Sequence, residues 1–124
     1  MHEVGIVLQL LEAVQATARS YGQNRVLDVY VKVGQLRAIE PEVMDFCWQT
    51  TSKETIAEGA ILHIETIFAK GYCEDCKTIF DAQDLIFVCE QCGGHRVKTE
   101  QGHELLLDRV VMSDHKVEPC LVSE

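Results

Sequence analysis

The sequence predicts an α+β fold: two helices on a three-stranded sheet, forming a small α/β domain interrupted by an inserted four-cysteine module. Three observations predict it. Residues 4 to 21 carry apolar side chains at helical spacing, residues 25 to 34 alternate apolar with polar, and two C-x-x-C pairs stand close together after residue 70. At 124 residues and 47% hydrophobic content, the chain makes one domain carrying a small insert. The boundaries fall at 1–69 and 102–124 for the discontinuous α/β domain, and at 70–101 for the module.

Each element has its own justification. Val7, Leu10, Leu11, Val14 and Ala18 recur at spacings of three and four, which gives the first helix one apolar stripe. Gly22 suits a left-handed stop. In the strand from Arg25 to Gly34, Leu27, Val29, Val31 and Val33 share one face, and Asp28, Tyr30 and Lys32 the other. Pro41 fits the first turn of a second helix, and Glu42 and Asp45 suit its positive end. Val43, Phe46, Cys47 and Thr50 are expected to face inward from it. Ala60 to Phe68 reads as a strand with Leu62, Ile64 and Phe68 on one side. A third strand runs from Glu104 to Met112, where Leu105-Leu106-Leu107 breaks strict alternation and predicts a bulge or burial on both faces. The tail after Ser113 is polar and expected to fray.

Cys73 and Cys76 form one C-x-x-C pair, Cys89 and Cys92 the other, with twelve residues between them. Two intervening residues let both sulfurs of a pair turn toward one point. Two such knuckles facing each other make a tetrahedral four-thiolate cage, the arrangement zinc prefers. Four thiolates leave no open coordination position, so the site is expected to be structural. The competing reading is two disulfides or a redox pair, which strain at C-x-x-C spacing disfavours. Between Lys70 and Glu100 the apolar content is mainly Phe80, Leu85, Ile86, Phe87 and Val88. That is too little for an independent core, so the metal is expected to carry the folding of the module. Cys47 reads as a small buried hydrophobe and Cys120 as an exposed thiol near a polar end.

The formal charge of −9 repels phosphate backbones and suits cations or basic protein partners. There is no run of eighteen apolar residues, so membrane insertion is not expected. The Met-His-Glu start does not resemble a signal peptide, and a thiolate site favours a reducing cytoplasm.

His2 directly follows Met1. A terminal amine, a deprotonated backbone amide and an imidazole within two residues can form fused chelate rings around one metal. Near-planar nitrogen ligation suits nickel(II) or copper(II) better than zinc. A histidine at position two also protects Met1 from removal. Taken alone, a histidine there is more often an accident of sequence.

Its company changes the reading. Met1-His2-Glu3, Val33-Gly34-Gln35-Leu36 with Glu40-Pro41-Glu42, Gly59-Ala60-Ile61-Leu62 and the paired C-x-x-C together resemble the HypA/HybF family, nickel-insertion proteins of hydrogenase maturation. The resemblance covers essentially the whole chain. It implies a nickel-binding α/β domain with a separate zinc domain, and zinc held by Cys73, Cys76, Cys89 and Cys92. It implies nickel ligation centred on His2, with nearby backbone nitrogens: the Met1 terminal amine and the Glu3 amide. The Glu3 carboxylate is left for a partner contact as an alternative role. His95, three residues after Cys92, matches a histidine that some members add, which implies a further nickel ligand; its other reading is a solvated loop residue. His63 is read as structural, His103 stays ambiguous, and His115 has no neighbour suggesting a site.

The implied role is a metallochaperone that carries nickel to an apo-hydrogenase, not an enzyme. The implied partners are a HypB-type GTPase and the hydrogenase large-subunit precursor, and a homo-oligomer is compatible with the sequence. Urease as a second client stays open. The rival class is a zinc-ribbon nucleic-acid-binding protein or transcription adaptor. Residues 71 to 101 hold three basic and six acidic side chains, a net of −3, which argues against tracking phosphates. A zinc hydrolase is disfavoured because H-E-x-x-H is missing and the four-cysteine site is closed. No glycine-rich phosphate loop is present either, so the chain is not expected to hydrolyse nucleotides.

Overall fold

The computed structural model describes the backbone of residues 2–23, 25–113 and 116–117. Met1, the His2 side chain, His115 and Cys120 lie outside the described residues. The elements run α1 (His2–Ser20), β1 (Val26–Gly34), α2 (Pro41–Thr51), β2 (Ile61–Ile67), β3 (Lys70–Cys73), β4 (Thr78–Asp81), β5 (Val97–Gln101), β6 (Leu105–Met112) and β7 (Lys116–Val117). They make a four-stranded sheet ordered β2-β1-β6-β7 and a three-stranded sheet ordered β4-β3-β5. The larger sheet therefore has one strand more than the three expected, the two-residue β7 paired antiparallel to β6. Residues group into two compact units, one of 1–32, 39–65 and 105–124, the other of 33–38 and 66–104.

In the first unit, α1 buries the whole stripe of Val7, Leu10, Leu11, Val14 and Ala18. It stops at Gly22, whose φ of +68° is left-handed. Gly22 donates to the Arg19 carbonyl and Gln23 to that of Ala18, the paired bonds that satisfy the last helical carbonyls. Helix α2 begins as expected, with Pro41 in its first turn and Glu40 extended before it. Its buried face differs from the sequence reading. Met44, Cys47 and Trp48 are buried, whereas Val43 and Phe46 are exposed and Thr50 faces solvent. Trp48 fixes that rotation: its ring is fully buried and its Nε1–H donates to the Ala60 carbonyl at 3.0 Å.

Two strands also depart from strict alternation. On β1 the buried set is Val26, Val29, Val31 and Val33, with Leu27 turned out, so the period-two pattern holds only from Val29 onward. On β6 the buried residues are Leu105, Leu107, Val110 and Met112. Alternation therefore holds across Leu105-Leu106-Leu107, where a break was expected, and fails instead at the three-residue step from Leu107 to Val110. On β2, Leu62 is buried and Ile64 half-buried, while Phe68 lies past the strand end and is 67% exposed.

In the second unit, β3 pairs antiparallel with β4 and β5, Tyr72 lying opposite both Ile79 and Lys98. Its buried cluster is Cys73, Phe80 and Cys89, with Cys76 and Val97 packed against it. Leu85 and Ile86 are exposed and add nothing to it. Three of the five residues of this cluster are cysteine.

Candidate metal centre

The first knuckle grows from the end of β3. Cys73 is the last residue of the strand, and its sulfur accepts the Cys76 N–H at 3.4 Å. Its carbonyl accepts the Lys77 N–H at 2.7 Å, with Lys77 left-handed at φ +58°. The second knuckle repeats this. The Cys89 carbonyl accepts the Gly93 N–H at 2.9 Å, and Gly93 is left-handed at φ +68°. The same turn is thus built twice, at both C-x-x-C pairs. Gly94 serves the site differently: a Cβ there would lie 3.1 Å from the Cys92 sulfur. These glycines shape the knuckle.

The two knuckles bring all four sulfurs within 4.8 Å of one another. Cys73 and Cys92 lie 3.8 Å apart and Cys76 and Cys89 3.7 Å apart, so each close pair joins one cysteine from each knuckle. All four are free thiols, which sets aside the disulfide reading for this structure. A regular tetrahedron with metal–sulfur bonds of about 2.3 Å, as zinc makes, has sulfur–sulfur edges of about 3.8 Å. The donor set and its spacing therefore fit a tetrahedral thiolate-binding ion.

The thiols differ in their readiness to ionise. Backbone N–H groups of Cys92 and then Gln91 hold Cys89 down at about 7, against the pull of burial. The neighbouring thiols of Cys92 and then Cys89 push Cys76 up to about 12. A metal must therefore displace the Cys76 proton throughout the accessible range, and the Cys89 proton only below about pH 7. Affinity is expected to fall with acid, more steeply below about pH 7 than above it. Zinc competition titrations at closely spaced pH values check the change in slope.

Basic side chains of the module are engaged with its own acids. Arg96 Nη1 lies 3.1 Å from Asp75 and Lys98 Nζ 3.1 Å from Glu74. A hydrogen bond from Lys98 holds the Glu74 carboxyl below its usual range. Two of the three cations counted in this segment thus face carboxylates of the first knuckle, not an open surface for phosphate. The pairs are largely exposed, so they orient the knuckle more than they stabilise it.

The described residues hold no second cluster of three or more metal-ligating side chains. Glu3 is 8% exposed, and its carboxylate accepts the Glu40 N–H at the start of α2 at 3.2 Å. That turns the carboxylate inward, away from the partner contact offered as its alternative role. His95 is exposed just past the second knuckle. His63 is structural, as expected, with Nε2 3.0 Å from Asp28 and its ring stacked on Tyr30 at 4.2 Å. His103 is exposed, and its carbonyl accepts from Arg37 Nε at 2.8 Å.

Residues 1–112 match the family described as "Hydrogenase/urease nickel incorporation, metallochaperone, hypA". The chain belongs to the HypA/HybF family. It is 38% identical over 105 residues to the hydrogenase maturation factor HypA of Chlorobaculum tepidum, covering 85% of this chain and 93% of that one. The hydrogenase maturation factor HybF of Morganella morganii is 30% identical over 105 residues, covering 85% of this chain and 93% of the relative. The solution structure of the Ni metallochaperone HypA from Helicobacter pylori superposes with a TM-score of 0.66 at 26% identity, over 89% of this chain and 96% of that one.

The middle segments that carry the HypA/HybF resemblance have clear physical roles. Gly34 and Leu36 donate to the Glu104 and Gly102 carbonyls, each at 2.7 Å. A Cβ on Gly34 would fall 2.1 Å from the Gly102 oxygen, so only glycine admits that crossing. Gln35 accepts the Ala69 N–H through Oε1 at 2.9 Å. Val33-Gly34-Gln35-Leu36 therefore seats both chain passages that enter and leave the cysteine module.

Proposed function

We propose that this chain carries nickel(II) during hydrogenase maturation, binding it at the N-terminus and holding zinc as a structural ion in the cysteine cage. The observation that carries the reading is Met1-His2 at the head of a chain that matches a nickel-incorporation family from residue 1. Imidazole from His2, the Met1 amine and the Glu3 amide supply the nitrogens that nickel(II) favours in near-planar ligation.

The local structure supports that assignment. Helix α1 begins at His2. The first N–H groups of a helix have no carbonyl one turn earlier to receive them. An amide there can give up its proton to a metal without breaking a helical hydrogen bond. The buried Glu3 carboxylate anchors this turn to the start of α2, while the Glu3 backbone nitrogen remains the proposed donor.

Zinc in the cage is kinetically and chemically separate from the cargo. Cys73, Cys76, Cys89 and Cys92 would hold it, and it would supply the folding free energy that the unit's small apolar cluster lacks. Nickel at a chain terminus is accessible for release. The role is binding and transfer, without making or breaking a substrate bond, in a reducing cytoplasm. A HypB-type GTPase and the hydrogenase large-subunit precursor are the proposed partners.

The test is a nickel titration of the untagged protein beside a version extended by residues before Met1. The extension converts the amine to an amide and is expected to weaken nickel binding about ten-fold or more, or about 1.4 kcal/mol. Equal affinity in the two would remove the terminal amine from the ligand set.

A further inference from the structure

Helix α2 turns its largest aromatic residue but one to solvent. Met44, Cys47 and Trp48 face the core, and Phe46 lies on the opposite side of the helix, 69% exposed. Val43, one turn earlier, is 40% exposed. Beside this face lies an open cleft of about 480 Å³, lined by Asp45 and Gln49 of α2, by Ser52 and Lys53 just past its end, and by residues 58 to 61. Ile61, on its far side, is 58% exposed. Ile61 thus lines the cleft and Phe46, one turn before Gln49, stands beside it within the same unit, although α2 has a sufficient buried face without Phe46.

The charges around the cleft have one dominant sign. Glu42 is exposed on α2, and Asp45 and Glu58 line the cleft, against the single cation Lys53. An apolar centre with an acidic margin complements a segment that has a bulky apolar anchor and lysine or arginine beside it.

We propose that the outward face of α2 and the adjoining cleft dock a basic amphipathic helix of a partner protein. An apolar side chain of that helix enters the cleft between Phe46 and Ile61. Its basic residues face Glu42, Asp45 and Glu58. Phe46 is the anchor on this side, since buried aromatics dominate the energy of such contacts. The acidic margin speeds encounter and makes the contact sensitive to salt. The choice of candidate partners rests on the maturation role proposed above; the surface itself does not depend on where nickel binds.

The test uses the purified GTPase and the hydrogenase large-subunit precursor of the same organism, titrated calorimetrically against wild type, Phe46→Ala, Asp45→Lys and Leu8→Ala. Leu8 is an exposed residue of α1 and serves as the control. All three changed positions are at the surface or the cleft rim, and circular dichroism checks that each variant folds. At least one of the two proteins is expected to bind wild type, about 30-fold more weakly with Phe46→Ala and about 10-fold more weakly with Asp45→Lys. The Asp45→Lys complex should also lose part of its salt dependence, and Leu8→Ala should match wild type. Nickel affinity, measured separately, should be the same in all four proteins, so failure of the docking surface is distinguishable from failure of the nickel site. Wild-type affinity in both Phe46→Ala and Asp45→Lys would overturn the proposal, as would binding of neither protein by wild type. A wild-type dimer that Phe46→Ala converts to monomer would overturn it in favour of a second copy of this chain.

Discussion

Cys76→Ser is expected to unfold the cysteine module while leaving the α/β unit folded. The buried cluster of the second unit is Cys73, Phe80 and Cys89, with Cys76 and Val97 against it, so three of these five residues are proposed metal ligands. Leu85 and Ile86 point outward and cannot compensate. Binding of structural zinc supplies about 10–16 kcal/mol in isolated zinc-finger peptides, and that free energy is folding free energy. Anchoring of the entering passage by Gln35 and of the leaving passage by Gly34 and Leu36 lowers the share needed here. Serine replaces a thiolate with a hydroxyl that zinc binds far less well. Zinc affinity should fall by about three orders of magnitude, or about 4 kcal/mol. Amide exchange reads the outcome directly. Protection should disappear from β3, β4 and β5 and persist in α1 and β1, where Val7, Leu10, Val14, Val29 and Val31 form a core independent of the cage. Retained protection throughout residues 71 to 101 would show that the module folds without its metal.

His2→Ala should reduce nickel affinity by about 100-fold or more, equivalent to about 2.8 kcal/mol, and leave zinc content unchanged. Imidazole is the one side-chain donor in the proposed set, and a methyl group cannot replace it. The amine and backbone nitrogens that remain still form a chelate, so weak residual binding is expected. Alanine is a good helix former, and α1 keeps its apolar stripe, so the change should not disturb the fold. Nickel titration with parallel zinc analysis separates the two sites. Equal nickel affinity in the variant and wild type would refute the assignment of His2.

Much of the fold could be read from spacing. The α1 stripe, the stop at Gly22 and the start of α2 at Pro41 all follow from local rules that act within a few residues. The face of α2 did not, because Val43, Met44, Phe46, Cys47 and Trp48 put apolar groups on nearly every side of that helix. Periodicity is then ambiguous, and the long-range bond from Trp48 to Ala60 selects the rotation. Leu27 escapes the pattern for a related reason: the alternation begins two residues later, at Val29, after an irregular start to β1. The short strands β3, β4 and β5 leave almost no hydrophobic signature, since Lys98, Thr99 and Glu100 in β5 are all exposed. They are formed by pairing around the knuckles, which a sequence pattern does not display.

The candidate site was legible to a different degree at each end. Two C-x-x-C pairs give the four sulfurs directly, because the spacing itself forces each knuckle. What spacing does not give is that the close sulfur pairs cross between knuckles, Cys73 with Cys92 and Cys76 with Cys89. Nor does it show that Arg96, just before β5, and Lys98, within it, are occupied by Asp75 and Glu74. At the N-terminus the sequence supplies the donor types, and the structure adds the start of α1 and the anchoring of Glu3 on Glu40.

Nickel X-ray absorption on the untagged, zinc-loaded protein tests the central claim most directly. The account places nickel on nitrogen donors at the N-terminus and reserves all four sulfurs for zinc. It therefore predicts a near-planar nickel spectrum fitted by nitrogen and oxygen scatterers, with no sulfur shell, and one zinc retained per chain. A nickel–sulfur shell accompanied by loss of zinc would contradict it, placing the cargo in the cysteine cage instead.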